Sequence, residues 1–346
     1  MRLIQLERLA RQVQKKIEDW RGTSGQIYFV HRVDQYRQIW RDVAAALDAE
    51  LVELEPDLWE VQKDGRRTRI NNYLLQLDDP VTLELAGRKP LVHSLLKAEG
   101  LPVPEHAVFD LASLDVAERF VAAHPLGAVI KPADGYGGKG VTTHLREPKA
   151  VRDAAILASL YSQNLLVEAQ ILGECFRLLV FDDEVISVVR RTGLRVTGDG
   201  VSDLATLVRR RGLEVDADCR FTLAAQGLSP STVPDADQVV LAKGNGGEGR
   251  AAELRTVYDR DVTAEVHETV RRAAEGAARA VGSRFLGVDV ITPDITRPLE
   301  EVGGSINEVN TTPALHHHYD AQTEAYPEVA RTILARLLAP EGGATA

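Results

Sequence analysis

The chain has 346 residues and a mass of 37.9 kDa, which implies two or three domains and a large buried core. Hydrophobic residues make up 44% and charged residues 27%, a globular composition that excludes a disordered or fibrous chain. Lysines and arginines number 41 against 51 aspartates and glutamates, and the net charge of -10 argues against a general nucleic-acid binder.

In chain order, Leu3, Leu6, Leu9, Val13, Ile17 and Trp20 recur at spacings of three and four, which predicts an amphipathic helix over residues 3–20. Such a helix docks a partner or packs on its own domain, and packing on its own domain is the expectation. Ile27 to Val30 reads as a strand, residues 34–48 as a helix and Leu51 to Leu54 as a strand, a β-α-β unit that predicts a small α/β domain over residues 1–88. Asp64-Gly65, in the middle of Trp59 to Ile70, is a hairpin turn signal. Helices follow over residues 89–98 and 115–123, the first stopped by Gly100 and the prolines Pro102 and Pro104. Strands are expected at 128–132, 165–167, 176–181, 185–189, 285–291 and 305–309, and helices at 203–211, 263–281 and 327–338. The expected division is residues 1–88, 89–166, 167–340 and a loose tail, 341–346.

Three constellations carry chemistry. Gly135, Gly137, Gly138 and Gly140 let backbone N–H groups turn toward one ligand, with Lys139 in the loop and Lys131 on the strand before it, a way to cradle a polyphosphate. The spacing fits neither a Walker loop nor a dinucleotide fingerprint, and taken alone a glycine-rich stretch is more often a simple turn. Glu308 and Asn310 lie two apart on a strand and share a face, and Asp289 on a neighbouring strand can join them. Such oxygen donors suit Mg²⁺; the alternative is that Asp289 and Glu308 pair with arginines. The strand Leu165 to Val167 ends at Glu168, a form that suits a hinge whose backbone meets an adenine.

These stretches occur in the order phosphate loop, hinge, metal set. With KPLVHSLLKAEGLPVP (89–104), VIKPADGYGGKGV (129–141), VEAQILGECFRLLVFDDEVISVVRR (167–191), VTGDGVSDLATL (196–207) and residues 287–319, the sequence resembles the ATP-grasp superfamily of carboxylate–amine ligases. More narrowly, it resembles the ATP-grasp domain of cyanophycin synthetase, and the resemblance covers residues 87–320. It implies an α+β ATP-grasp fold, two α+β subdomains clasping ATP behind the small N-terminal α/β domain. It implies that Lys89 and Lys131 reach the nucleotide phosphates and that the loop containing Gly135, Gly137, Gly138, Lys139 and Gly140 closes over the γ-phosphate. Glu168 and Ile171 take the adenine hinge, and Asp289, Glu308 and Asn310 hold Mg²⁺, two ions, with Mn²⁺ as a substitute. Arg191, Arg177 and Arg190 stand where the superfamily places cations near the transferred phosphate, and Asn245 lies in a segment beside the reaction centre. Cys175 stands where relatives carry a ribose-binding carboxylate, and Glu174 beside it is the candidate to bind the ribose in its place, although its side chain starts on the other strand face.

The implied reaction joins a carboxylate to an amine through an acyl phosphate, on amino acids or a short peptide. A kinase-like variant, a carboxylate–thiol ligase and a non-catalytic nucleotide-binding module are the alternatives. A chain of this length is expected to be a stand-alone ligase making one amide bond. It has two cysteines, Cys175 and Cys219, expected as free thiols in a reducing cytoplasm, and no apolar run of about 18 residues or signal-peptide core. Small-molecule acid and amine substrates, no nucleic acid, no membrane, and a homodimer or homotetramer complete the expectation. His316-His317-His318 lines a substrate pocket, forms a simple loop or binds zinc. Arg209 to Arg211 read as a solvated helix end, Trp40 and Trp59 as core, and Arg66, Arg67 and Arg69 as an acidic-substrate entrance or an exposed hairpin strand.

Overall fold

The computed structural model describes residues 2–21, 25–134, 140–211, 215, 217–224, 226–243, 260–318 and 328–340. Two helices, α1 (Arg2–Arg21) and α2 (Gly25–Ala46), precede an antiparallel meander of β1 (Glu50–Glu55), β2 (Leu58–Lys63), β3 (Arg66–Asn71) and β4 (Leu74–Leu75). The strand expected at Ile27 to Val30 is helix, because the helical pattern of α2 extends back through it. A short apolar run fits either element when judged alone. No β-α-β unit forms, and β1 pairs antiparallel with β2. Tyr36, Ile39, Trp40, Val43 and Ala44, spaced on one face of α2, are buried with Trp59, Val61 and Ile70 of the sheet. Trp40 Nε1 donates to the Asn72 carbonyl at 2.7 Å, so this large side chain is buried with its polar atom satisfied. The β2–β3 hairpin turns at Asp64 and Gly65, with φ of 50° and 77°, the left-handed pair that a two-residue turn requires.

After α3 (Pro80–Ala86) comes α4 (Lys89–Ala98), and then a second sheet with its helices: β5 (His106–Phe109), α5 (Leu114–Ala123), β6 (Ala128–Pro132), β7 (Thr142–Leu145), α6 (Val151–Ala158) and β8 (Leu165–Ala169). Its strand order is β5-β8-β6-β7, all antiparallel. Ala128, Ile130, Leu165 and Val167 face α5 and α6 and form its core. The alternation of strand side chains therefore turns Lys131 and Glu168 to the other face. Helix α1 lies against α6 with its charged side: Glu7 pairs with Arg152 at 2.6 Å, Arg8 donates to the Ser159 carbonyl at 3.1 Å and Arg11 meets Asp153 at 3.4 Å. Leu3, Leu6, Leu9 and Val13 stay exposed, so α1 packs on the rest of the chain through its polar side and not through this part of the apolar stripe.

The third sheet is the largest. It contains β9 (Glu174–Phe181) and β10 (Glu184–Arg191). A small lobe of β11 (Leu194–Thr197), α7 (Leu204–Arg210), α8 (Ala217–Ala224) and β12 (Val239–Lys243) follows. Then come β13 (Arg260–Asp261), α9 (Glu268–Val281), β14 (Phe285–Thr292), α10 (Leu299–Val302), β15 (Ser305–Thr311) and α11 (Glu328–Leu337). The order is β13-β10-β9-β14-β15. Residues 263–265 form a separate 3₁₀ turn and α9 starts at Glu268 behind a His267 cap, so the helix expected over 263–281 is shorter. Val270, Ala274, Ala277, Ala278 and Val281 of α9 cover Leu178, Val180, Leu286, Val288 and Val290 of the sheet. The opposite face, at Phe181 and Phe285, packs on the core of α2 and the first sheet. Among the described residues no helix is long and apolar enough to cross a membrane.

Candidate functional site

The polar faces of the second and third sheets meet beside α4. In the third sheet Asp289 is in register with Arg177 of β9 on one side and with Glu308 of β15 on the other, and Asn310 lies two residues beyond Glu308 on the same face. Arg177 donates to both oxygens of Asp289, from Nε at 2.5 Å and Nη2 at 2.8 Å, and both residues are buried. Asn310 Nδ2 donates to the same carboxylate at 3.1 Å. Gly287, opposite Asn310, leaves the room that the guanidinium occupies. A Cβ there would stand 2.8 Å from Arg177 Cδ and 3.0 Å from Nη1. Gly287→Ala is therefore expected to push Arg177 off Asp289 and to lower stability by about 1–3 kcal/mol, read by urea unfolding against the parent chain.

Two residues of α4, one turn apart and so on one face, reach across to both sheets. Lys89 donates its backbone N–H to the Ala133 carbonyl at 3.1 Å, beyond the end of β6, and brings Nζ to 3.3 Å from Glu308 Oε1. His93 lies between Glu168 of β8, whose Oε1 is 3.5 Å from Nδ1, and the Asn307 carbonyl of β15, 3.4 Å from Nε2. In the second sheet Lys131 and Glu168 are diagonal neighbours, and Lys131 Nζ is 2.6 Å from Glu168 Oε2 with both side chains buried.

This assembly of Lys89, Lys131 and Arg177 with Glu168, Asp289 and Glu308 sets the local electrostatics. Burial raises the Glu308 carboxyl, but the charges of Lys89, Lys131 and Arg177 outweigh it and hold the group below the usual carboxylate range. Burial, with the Asp289 charge, pushes the Cys175 thiol up to about 12, so it is no thiolate nucleophile at neutral pH. Burial lowers His93 to about 3, helped by the charges of Lys131 and His106 and opposed by the Asn307 carbonyl and Glu308.

His93 is thus neutral in the fold, whereas in the unfolded chain it binds a proton below about pH 6.5. The sign follows: stability is intact above about pH 6.5 and falls toward pH 3, with a limiting slope of about 1.4 kcal/mol per pH unit from this group. Urea unfolding at pH 7 and pH 5 checks it, and His93→Leu is expected to lose less stability between them than the parent chain.

Of the residues singled out in the sequence, Lys89, Lys131, Glu168, Arg177, Asp289, Glu308 and Asn310 come together. Arg191 is buried at the end of β10, in register with Cys175 and on the Arg177 face. Ile171 is half-buried in the loop after β8. Glu174 points away from this face, is exposed and pairs with Arg190 at 3.4 Å. Gly135, Gly137, Gly138, Lys139 and Asn245 lie outside the described residues. Gly140 ends the loop with φ of 73°, and a Cβ there would meet Tyr161 Cδ2 at 2.7 Å, so glycine lets the chain close onto the turn after α6.

Elsewhere, His317 and His318 are buried, with His318 Nδ1 2.9 Å from Ser187 Oγ. Among the described residues no group of three or more histidines, cysteines or acids is placed to hold a metal ion, and the side chain of His316 lies outside them. Arg66 donates to the Ala339 carbonyl and Arg69 pairs with Glu60 at 3.0 Å, the hairpin-strand reading. Two contributors were missed in the sequence. His93 was legible as the residue one turn after Lys89; Gly287 had no signal, because its role is to leave room for a side chain from another strand.

Asp289 adopts the arginine pairing that was the alternative to metal binding, while Glu308 pairs with a lysine. The two roles are compatible. A carboxylate offers about four acceptor sites, of which Arg177 takes two and Asn310 one, so Asp289 keeps an acceptor position. With Glu308 and the Asn310 amide oxygen it would offer a hard oxygen set of the kind that suits a divalent cation such as Mg²⁺.

No family model matches the chain. It is 31% identical over 252 residues to the cyanophycin synthetase of Trichormus variabilis, which takes in 68% of this chain and 27% of that protein. With the cyanophycin synthetase of Crocosphaera subtropica the identity is 30% over 292 residues, 79% of this chain and 33% of the relative. The glutathione biosynthesis bifunctional protein GshAB of Mannheimia succiniciproducens is 27% identical over 287 residues, 76% of this chain and 36% of that one. The chain thus spans about a quarter to a third of the length of these curated relatives. Among solved structures, a bifunctional glutathione synthetase from Pasteurella multocida superposes with a TM-score of 0.54 at 22% identity, over 84% of this chain and 41% of that one. This likeness bears on the fold, two antiparallel sheets whose polar faces meet, and the identity to the synthetases bears on descent. The chain is thus a homologue of cyanophycin synthetase over most of its length, and its fold is that of the ATP-grasp ligases.

Proposed function

We propose that the chain is an ATP-dependent carboxylate–amine ligase that forms an amide or peptide bond through an acyl phosphate and releases ADP and phosphate. The observation that carries this reading is the meeting of three cations, Lys89, Lys131 and Arg177, with the oxygen set of Asp289, Glu308 and Asn310, between two sheets. ATP and a carboxylate repel each other, and a buried cluster of cations is the means to bring them together.

In this reading Lys89 and Lys131 bind phosphate oxygens, and Arg177 with Arg191 stabilises the charge that develops on the transferred phosphoryl group. The glycine loop from Gly135 to Gly140 covers the site and keeps water from the acyl phosphate. Asp289, Glu308 and Asn310 would hold Mg²⁺, two ions with Mn²⁺ as a substitute, which when bound neutralises charge on the β- and γ-phosphates. Glu168 and Ile171 border the base, and Asn245 lies beside the acceptor.

The names of the relatives, synthetases of cyanophycin and of glutathione, both peptides, support amino acids or a short peptide as acid and amine. The proposal extends to units bounded at residues 88, 166 and 340, to a homodimer or homotetramer, and to a reducing cytoplasm, which suits two free thiols.

The test is ADP and phosphate release from Mg-ATP across pairs of amino acids and dipeptides, with mass spectrometry of the products. Amine-dependent release with an amide product is expected, and Glu308→Ala is expected to lower it at least about a hundredfold. A phosphorylated acid formed without any amine requirement assigns a kinase-like reaction instead, and a thioester formed only with thiol acceptors assigns thiol ligation.

A further inference from the structure

His93 has no part in the ligase chemistry above, yet it stands where the charges of the site meet. It is 2% exposed, and neither its Nδ1 nor Glu168 Oε1, 3.5 Å away, has a hydrogen-bond partner among the described residues. Buried polar atoms nearly always have a partner. Two that lack one and face each other point to a hydrogen bond made in another state of the protein.

The present state shows why the bond is open. Among the described residues only Nε2 has an acceptor in hydrogen-bond geometry, the Asn307 carbonyl at 3.4 Å, so the ring proton is assigned to Nε2 and the bare Nδ1 lone pair faces the carboxylate. Glu168 depends on Lys131, which holds its other oxygen at 2.6 Å. A nucleotide that draws Lys131 to its phosphates leaves a buried carboxylate without a cation or donor, a strongly unfavourable arrangement.

We infer that His93 is a positioning residue that takes over Glu168 when Lys131 turns to the nucleotide phosphates. The ring proton leaves Nε2 and arrives on Nδ1, the imidazole stays neutral throughout, and Nδ1–H donates to Glu168 Oε1. A long contact to a neutral carbonyl is exchanged for a charge-assisted hydrogen bond. The ring has only a short way to go: it is packed edge-on against His106, with ring centres 4.8 Å apart, and Glu168 lies just beyond hydrogen-bond range. The inference rests on the reading of Lys131 as a phosphate-binding lysine.

Calorimetric titration with Mg-ATP tests it, on the parent chain and on His93→Leu and His93→Gln, each with and without Glu168→Gln. His93→Leu is expected to weaken binding about tenfold, and His93→Gln to recover most of it through its amide N–H. The leucine is expected to cost nothing in the Glu168→Gln background, where no carboxylate needs a donor. In the parent chain, ¹⁵N shifts of His93 are expected to report the Nε2–H tautomer without nucleotide and the Nδ1–H tautomer with Mg-ADP. That readout decides the matter alone if a variant fails to fold. Equal Mg-ATP affinity in the parent and folded His93→Leu, or a proton that stays on Nε2 in the complex, overturns the inference and leaves the ligase reading intact. A parent chain that binds no Mg-ATP overturns the ligase reading and this inference with it.

Discussion

Lys131→Met is expected to lower ATP-dependent turnover at least about a hundredfold, the scale of losing one preorganised charge at a developing phosphoryl anion. The substitution also removes the cation 2.6 Å from Glu168, and both side chains are buried. Breaking such a pair on one side costs about 3–5 kcal/mol, because a charge is left in a poorly solvated place. The single variant therefore confounds stability with chemistry. Lys131→Met combined with Glu168→Gln separates them: removing both charges is expected to restore most of the unfolding free energy and none of the turnover. Parent-like turnover in the folded double variant would contradict the role given to Lys131.

The second large effect concerns Arg177 and Asp289. Either Arg177→Leu or Asp289→Leu is expected to destabilise the chain by about 3–5 kcal/mol, while the two together are expected to recover a large part of that loss. The geometry makes the coupling strong: two donor atoms, two acceptor atoms, distances of 2.5 and 2.8 Å, and both groups buried in the middle of the third sheet. All three variants are expected to lack ligase turnover. Urea unfolding with a double-mutant cycle measures the first part and ADP release the second. Additive losses in stability would mean that the two charges do not depend on each other.

Much of the local structure was legible in the sequence. Helix α4 begins at Lys89 and ends at Ala98, as its apolar spacing and the following Gly100 and prolines required. Strand β6 covers Ala128–Pro132, the span expected from its apolar run. The Asp64-Gly65 turn was readable for the same reason, since the information lies within a few neighbouring residues. Ile27 to Val30 was misread because four apolar residues carry no period of their own, and what decided them was the helix they continue into.

Much of the site was also readable. Lys131, Glu168, Asp289, Glu308 and Asn310 stand out by residue type and spacing, and Lys89 and Arg177 through the resemblance. Their pairings were not readable. Arg177 meets Asp289 across 112 residues of chain, and His93 meets the Asn307 carbonyl across 214. Which strand lies beside which, and in what register, is set by the packing of α9 under one face and of α2 under part of the other.

By itself the sequence determined many of the helices and strands, the Asp64-Gly65 turn, and an inventory of cations and oxygen donors suited to a polyphosphate, because periodicity, capping and side-chain chemistry are properties of neighbouring residues. Only the tertiary structure decided that Asp289 is shared with an arginine, that Lys131 rests on Glu168, and that a neutral histidine stands between the two sheets. Those outcomes depend on burial and on the register of distant strands, which arise when the sheets close on one another.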